Sequence, residues 1–334
     1  MRILITGASG FIGGFLVQEA LNRGYDVWAG VRARSNTSNL QDNRIHFIDL
    51  KYADINALTD QLKEFNAQYG AFDYVIHNAG LTKSLHVADF DRVNYQYTRN
   101  LIDALRASGS TPKKFVLMSS LSSFGLGDEK NYTPFQRSDI PNPNTAYGQS
   151  KLKAEEYLKS LSDFPYMILR PTGVYGPGEK DYFMNVKAVK SGIEVGLGFR
   201  PQQITFIYVT DLVKAAYLAL ESPLCNKAYF VADGDVYTDA EYSTMLKELL
   251  GKKHSIKLRL PLWVGKVACF ASEQVGKLTG NVPTLNLDKY KILKQRNWKC
   301  DIEPLRKELG FEPEYPLRRG LEACIKWYKE AGWL

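Results

Sequence analysis

The sequence predicts an α/β chain: a doubly wound parallel sheet with helices on both faces, and a smaller, mostly helical C-terminal lobe. Three observations carry this expectation. Met1 to Gly14 reads as a buried strand, a glycine turn and a helix start in unbroken succession. Apolar runs then alternate with amphipathic stretches as far as Val231, the pattern of right-handed strand–helix–strand crossovers. From Gly173 onward Gly176-Pro-Gly178, Gly192 to Gly198 and Pro201 break that alternation, and prolines at 261, 283, 304, 313 and 316 punctuate the remainder.

Ile3 to Ile5 form a short apolar run suited to a central strand with both faces covered. Gly7, Gly10 and Gly13 follow three apart, where glycine permits positive φ and close approach of a ligand's pyrophosphate. The helix that begins at Phe11 offers free N–H groups and a positive dipole end. That helix runs to Asn22, and Asp26 to Val31 supplies the next strand, so the unit needed to hold a dinucleotide is complete. Further strands are expected at 44–48, 73–77, 114–118, 166–169 and 228–231. Helices are expected at 55–69, 89–108, 146–162 and 210–221.

The predicted organisation is a dinucleotide-binding unit of residues 1–172 plus about 204–235, and a lobe of about 173–203 plus 236–334 that roofs the crevice beyond the strand ends. Leu260 to Ala271 is the longest apolar stretch, but Lys266 interrupts it and it is too short to span a bilayer. Met1 leads straight into a strand without a signal-peptide pattern, so a cytoplasmic location is expected. Cys225, Cys269, Cys300 and Cys324 are scattered, and so are the four histidines. Neither a disulfide framework nor a metal site is expected. The net charge of +7 is spread with acids interleaved, which argues against a nucleic-acid partner and fits attraction of a polyanionic cofactor.

Tyr147 and Lys151 are four apart at the start of a helix, which places both on one face. A phenol is a poor base at neutral pH unless a nearby ammonium favours the phenolate, and Lys151 is placed to supply that charge. Ser119 to Ser123 begin where the strand 114–118 ends. Hydroxyls there stand at the ligand-binding rim, though serines in such loops more commonly form turns.

Together these residues resemble the extended branch of the short-chain dehydrogenase/reductase superfamily, which contains nucleotide-sugar epimerases and dehydratases, dihydroflavonol reductases and 3β-hydroxysteroid dehydrogenases. The matching motifs are Thr6-Gly-Ala-Ser-Gly-Phe-Ile-Gly13, Asp49-Leu50, His77-Asn-Ala-Gly80, Val93-Asn94, Tyr147 with Lys151, Arg170-Pro-Thr-Gly-Val-Tyr-Gly-Pro177 and Phe206 to Leu212. The resemblance implies a Rossmann-type sheet. It places Gly7, Ser9, Gly10, Phe11, Ile12 and Gly13 around the cofactor, Asp49 and Leu50 at its adenine, and Asn78, Ala79 and Gly80 beneath it. Pro171, Thr172 and Val174 would lie near the nicotinamide. Tyr147 would be the acid/base, and Lys151 would lower its pKa and bind the nicotinamide ribose. The substrate-holding hydroxyl, five residues before Gly125, would be Ser120, with Ser122 as the alternate. Thr82, Ser122 and Tyr175 would face the substrate. The resemblance also implies a homodimer formed through the helices holding Asn94 to Leu105 and Tyr147 to Leu161.

The second strand ends in Gly30-Val31-Arg32-Ala33-Arg34, without the carboxylate that would accept from a ribose 2′-hydroxyl. Arg32 and Arg34 could clamp a 2′-phosphate, so NADP(H) is favoured over NAD(H). Relatives that act on sugar nucleotides carry an Arg-Asp pair where this chain has Ile204 and Thr205, which counts against such a substrate, although Lys180, Lys187 or Arg200 could substitute. The small-molecule substrate is therefore expected to be a carbonyl compound or secondary alcohol, with epimerase or dehydratase chemistry as the alternative and a non-enzymatic cofactor sensor as the third reading. The apolar stretch from Leu260 could cover a hydrophobic substrate or, as is more usual for an apolar helical face, form the core of the lobe.

Overall fold

The computed structural model describes residues 1–283 and 285–334. In the first half, strands β1 (Arg2–Thr6), β2 (Asp26–Gly30), β3 (Ile45–Ile48), β4 (Tyr74–His77), β5 (Lys114–Met118) and β6 (Tyr166–Pro171) alternate with helices α1 (Phe11–Asn22), α2 (Ile55–Tyr69), α3 (Val87–Phe90), α4 (Tyr97–Ala107) and α5 (Ala146–Lys159). Then come β7 (Gly173–Tyr175), α6 (Lys180–Lys190), β8 (Ile193–Leu197), β9 (Gln203–Ile204), β10 (Phe206–Tyr208), α7 (Val209–Glu221) and β11 (Lys227–Val231). The chain closes with β12 (Tyr237–Thr238), α8 (Asp239–Leu249), β13 (Ile256–Leu260), α9 (Leu262–Thr279), α10 (Leu287–Lys294), α11 (Glu303–Leu309) and α12 (Leu317–Glu330).

Seven strands form one parallel sheet in the order β11-β6-β5-β4-β1-β2-β3. The direction of winding reverses between β1 and β4, so the loops leaving their carboxyl ends diverge and open a crevice there. Thr6 and His77 pair in register at that point. One face of the sheet buries Ile3, Ile5, Val27 and Ile76 against α1 and α7, and the other buries Leu4, Val75, Phe115 and Leu117 against α2, α4 and α5.

Local signals explain most element limits. Asp54 accepts the N–H groups of Asn56 and Ala57 and starts α2, Thr145 accepts from Gly148 at the start of α5, and Thr238 with Glu241 forms a capping box on α8. Two expectations need correction. The helix expected over 89–108 is split into α3, a π-helical turn over Asp91–Gln96 and α4. Asn94 in that turn faces inward and holds both the N–H and the C=O of Leu81. Of the strands in the segment of about 204–235 assigned to the dinucleotide-binding unit, only Lys227–Val231 joins the main sheet. β9 and β10 instead pair with β12 and β7, where Phe206 and Tyr208 join an aromatic cluster with Tyr175, Tyr237 and Tyr242.

The later part of the chain is mostly helical, as expected, and also contains a strand. Ile256–Leu260 pairs in parallel with Ile193–Leu197, and its Ile-Lys-Leu-Arg-Leu alternation is the period-two signal behind that pairing. Helix α9 does not supply the lobe's core, since only Cys269 and Gly276 of its residues are buried.

Candidate active site

The cofactor cradle is made by backbones that touch. Gly7 has φ of +65°, and a Cβ there would lie 2.8 Å from the backbone of Ala79; a Cβ on Gly13 would lie 2.1 Å from the carbonyl oxygen of Gly7. Gly10 is the N-cap of α1, and no side chain caps the helix, so its first N–H groups point into the crevice as an anion site. Ser9, Phe11 and Ile12 are half-buried around the turn, and Asn78 Nδ2 donates to Gly7 O at 3.5 Å.

Beneath the turn, His77 is clamped between Thr6 Oγ1 and Thr98 Oγ1, each 2.8 Å from a ring nitrogen. Thr98 spends its own proton on Asn94 O at 2.8 Å, so the ring donates from Nε2 to Thr98 and accepts from Thr6 at Nδ1. Thr6 Oγ1 in turn accepts Ala79 N–H at 3.1 Å. Burial, reinforced by the charge of Lys151, pushes the imidazole down to about 3, so it stays neutral.

At the end of β2, Arg32, Ala33, Arg34 and Asp49 line a cleft of about 500 Å³. Asp49 Oδ2 accepts Ala33 N–H at 2.9 Å, which engages one oxygen of that carboxylate, and both arginines are exposed on either side of the bond. Leu50 is buried below. At the end of β6, Pro171 is buried and Val174 packs on the core. The Thr172 hydroxyl is buried with no partner, a donor and acceptor free for a ligand group. An uncapped helix start, a cradle that any Cβ would fill, a guanidinium pair and an orphan hydroxyl along one crevice fit a nicotinamide dinucleotide.

Tyr147, Lys151 and Ser120 converge beside this cradle. Burial raises the Tyr147 phenol above its ordinary range, and the neighbouring Ser120 hydroxyl opposes the rise. Ser119 and Ser123 are turned away, donating to Glu155 Oε1 at 2.5 and 3.0 Å, while the Ser122 N–H donates to Ser120 Oγ. The loop seats on α5 because residue 148 is glycine; a Cβ there would come within 2.2 Å of Ser122 O. Lys151 is buried, donates to Met118 O at 2.8 Å, and lies against Gly80, where a Cβ would stand 3.1 Å from its Nζ. Burial, partly offset by Glu155, brings the ammonium down to about 8.

Glu155 and Arg170 form a buried pair at 2.6 Å, with the guanidinium lying 4.7 Å from the Phe124 ring centroid. Burial works to raise the Glu155 carboxyl, and Arg170, Lys159 and Ser119 outweigh it, so it remains ionised. One carboxylate therefore ties β6, the serine loop and α5 together.

Thr82 is exposed. Tyr175 does not face a substrate. It is 2 % exposed within the aromatic cluster, and its hydroxyl reaches Leu317 O at 3.4 Å and fills the space over Gly320. Ile204 pairs with Tyr237 of β12, and Arg200 donates to Glu129 O. Two contacts had no local sequence signal. Asp181 binds Lys83 at 2.5 Å and Lys289 at 3.4 Å, and Asp288 accepts N–H groups from the first turn of α5.

A family model of the NAD-dependent epimerase/dehydratase family matches residues 3–232. The chain belongs to that family. Family relatives include the UDP-glucose 4-epimerase of Vibrio cholerae, 30% identical over 98% of this chain and 96% of the relative. A second is the decarboxylating sterol-4-alpha-carboxylate 3-dehydrogenase of Saccharomyces cerevisiae, 25% identical over 98% of both chains. The UDP-glucose 4-epimerase of Thermotoga maritima, solved with UDP-glucose, shares the fold with a TM-score of 0.78 at 22% identity, covering 99% of each chain. This epimerase/dehydratase family member is thus an NAD(P)-dependent enzyme of the extended short-chain dehydrogenase/reductase superfamily, whose relatives include epimerases and dehydrogenases. No described helix is long and apolar enough to cross a membrane.

Proposed function

We propose that this protein is an NADP(H)-dependent oxidoreductase that interconverts a carbonyl compound and a secondary alcohol. The observation that carries the reading is the meeting of Ser120, Tyr147 and Lys151 at the end of β5, next to the glycine turn. When bound, the cofactor supplies or receives the hydride. The Ser120 hydroxyl holds the reacting oxygen, and Tyr147 gives that oxygen its proton in reduction or takes it in oxidation. Lys151 keeps a positive charge between Met118 O and Gly80, where the nicotinamide ribose would lie. Gly7, Gly10 and Gly13 admit the pyrophosphate, Asn78, Ala79 and Gly80 support the cofactor from below, and Thr172 offers its unpartnered hydroxyl to the nicotinamide end.

Arg32 and Arg34 are assigned the 2′-phosphate, because both guanidiniums stand exposed along the cleft at the end of β2. Dissociation constants for NADPH and NADH test this. The native protein should prefer NADPH and Arg32→Ala should lose about tenfold of that preference; equal preference in both overturns the assignment.

The Vibrio relative favours a second reading, nucleotide-sugar epimerisation, in which the cofactor is oxidised and reduced within one turnover. Ile204 and Thr205 weigh against it, since neither can offer a diphosphate a charged contact. A screen of carbonyl compounds and sugar nucleotides for thermal stabilisation with NADPH finds the substrate. With that substrate, NADPH absorbance falling in step with product supports the oxidoreductase. Product formed at constant absorbance supports the epimerase.

A further inference from the structure

Helix α9 is apolar on the side that faces away from the protein. Cys269 and Gly276 are buried, and Gly265 packs on Leu197, so these residues mark the inner face. On the opposite side Trp263, Val267, Phe270 and Leu278 fall on one stripe about 80° wide at helical spacing, and they are 68 %, 57 %, 52 % and 87 % exposed. The β8–β13 ribbon leading into α9 adds to this surface. Ile193 pairs with Ile256 and Val195 with Leu258, all four exposed, on the face that carries Leu197 towards α9. An apolar surface of this extent marks an interaction site.

Its surroundings are cationic. Between residues 252 and 277 stand Lys252, Lys253, Lys266 and Lys277, against a single acid, Glu273, which is paired with Lys277 at 2.8 Å, while Lys257 and Arg259 alternate onto the opposite face of the ribbon. Asp239, the nearby acid from α8, is engaged by Arg259 at 2.6 Å. Lys266 and Lys277 border the apolar stripe on its same edge. A second copy of the chain seated on this face would bring like charges together, whereas an anionic lipid surface matches both the charge and the apolar stripe. Tryptophan at the end of the stripe also suits the headgroup level.

We propose that α9, with the adjoining β8–β13 ribbon, docks this protein onto anionic phospholipid bilayers, with the helix lying in the plane of the interface. The inference stands on this surface alone and does not depend on the substrate or on the cofactor preference.

Flotation of the full-length protein with vesicles of phosphatidylglycerol and phosphatidylcholine in equal parts tests it, with pure phosphatidylcholine vesicles as the comparison. The protein should float with the anionic vesicles at low salt, bind them about tenfold less well at high salt, and bind phosphatidylcholine weakly. Trp263→Ser/Phe270→Ser should reduce binding about 100-fold, with thermal unfolding and NADPH affinity unchanged because both side chains lie outside the core. Lys266→Glu/Lys277→Glu should also lose binding while leaving the stripe intact. Absence of flotation with anionic vesicles overturns the proposal, as does flotation that both double variants retain. A native dimer that Trp263→Ser/Phe270→Ser converts to monomer, with no vesicle binding, would assign the face to a second copy instead.

Discussion

Asp288, at the first turn of α10, holds the backbone N–H of Tyr147, a residue 141 positions earlier in the chain, at 3.4 Å. Its other carboxylate oxygen accepts Ala146 N–H at 3.0 Å. A negative charge at the start of α5 is favourable to that helix and fixes the turn from which the phenol projects. Asp288→Ala should cost about 1 kcal/mol of stability and lower kcat while NADPH affinity holds. Asp288→Asn keeps one acceptor and should recover much of both. Chemical denaturation and steady-state kinetics of the pair check this.

Lys151 titrates near 8, so its ammonium is fully present only below that pH. If its charge serves the reaction, kcat/KM should decline along a basic limb centred near pH 8, and Lys151→Arg should move that limb upward while Lys151→Met removes the dependence and most of the activity. The stability effect has the opposite sense. The folded pKa lies below the unfolded value of about 10.5, so the folded state gains relative stability as pH rises from 8 to 10.5.

His77 is buried neutral, with its folded pKa near 3 against 6.5 for the free side chain. Unfolded chains take up this proton first on acidification. Stability should therefore fall between pH 6.5 and 5 by up to roughly 1.4 kcal/mol per pH unit from this residue. His77→Gln should flatten that slope in urea titrations, at the cost of lower stability at neutral pH.

Gly13→Ala places a methyl group 2.1 Å from Gly7 O and 2.7 Å from Ala8 O, both backbone atoms of the turn. The variant should lose roughly 1–3 kcal/mol, and its NADPH affinity should drop beyond measurement in a fluorescence titration.

Much of this structure was legible because its signals are local. Helices 11–22 and 55–69 and strand 114–118 lie where periodicity put them, each bounded by its own turn or cap. Tyr147, Lys151 and the glycines were equally readable, since their spacing is that of one helix face or one turn. The π-helical turn was not, because it depends on Asn94 reaching back 13 residues to Leu81. The strand at 256–260 depends on a partner more than 60 residues earlier. Tyr175 shows the limit of a motif, which marks a residue's place in the loop and leaves open that its ring turns into the aromatic cluster.

The buried Glu155–Arg170 pair sets a rule for recombining this enzyme with its relatives. A chimera joined anywhere between those two positions takes the acid from one parent and the base from the other. It would inherit an ion pair only if both parents had solved the same problem in the same way. Crossovers before residue 119 or after residue 170 leave the pair, with the two serines it holds, as a single heritable block.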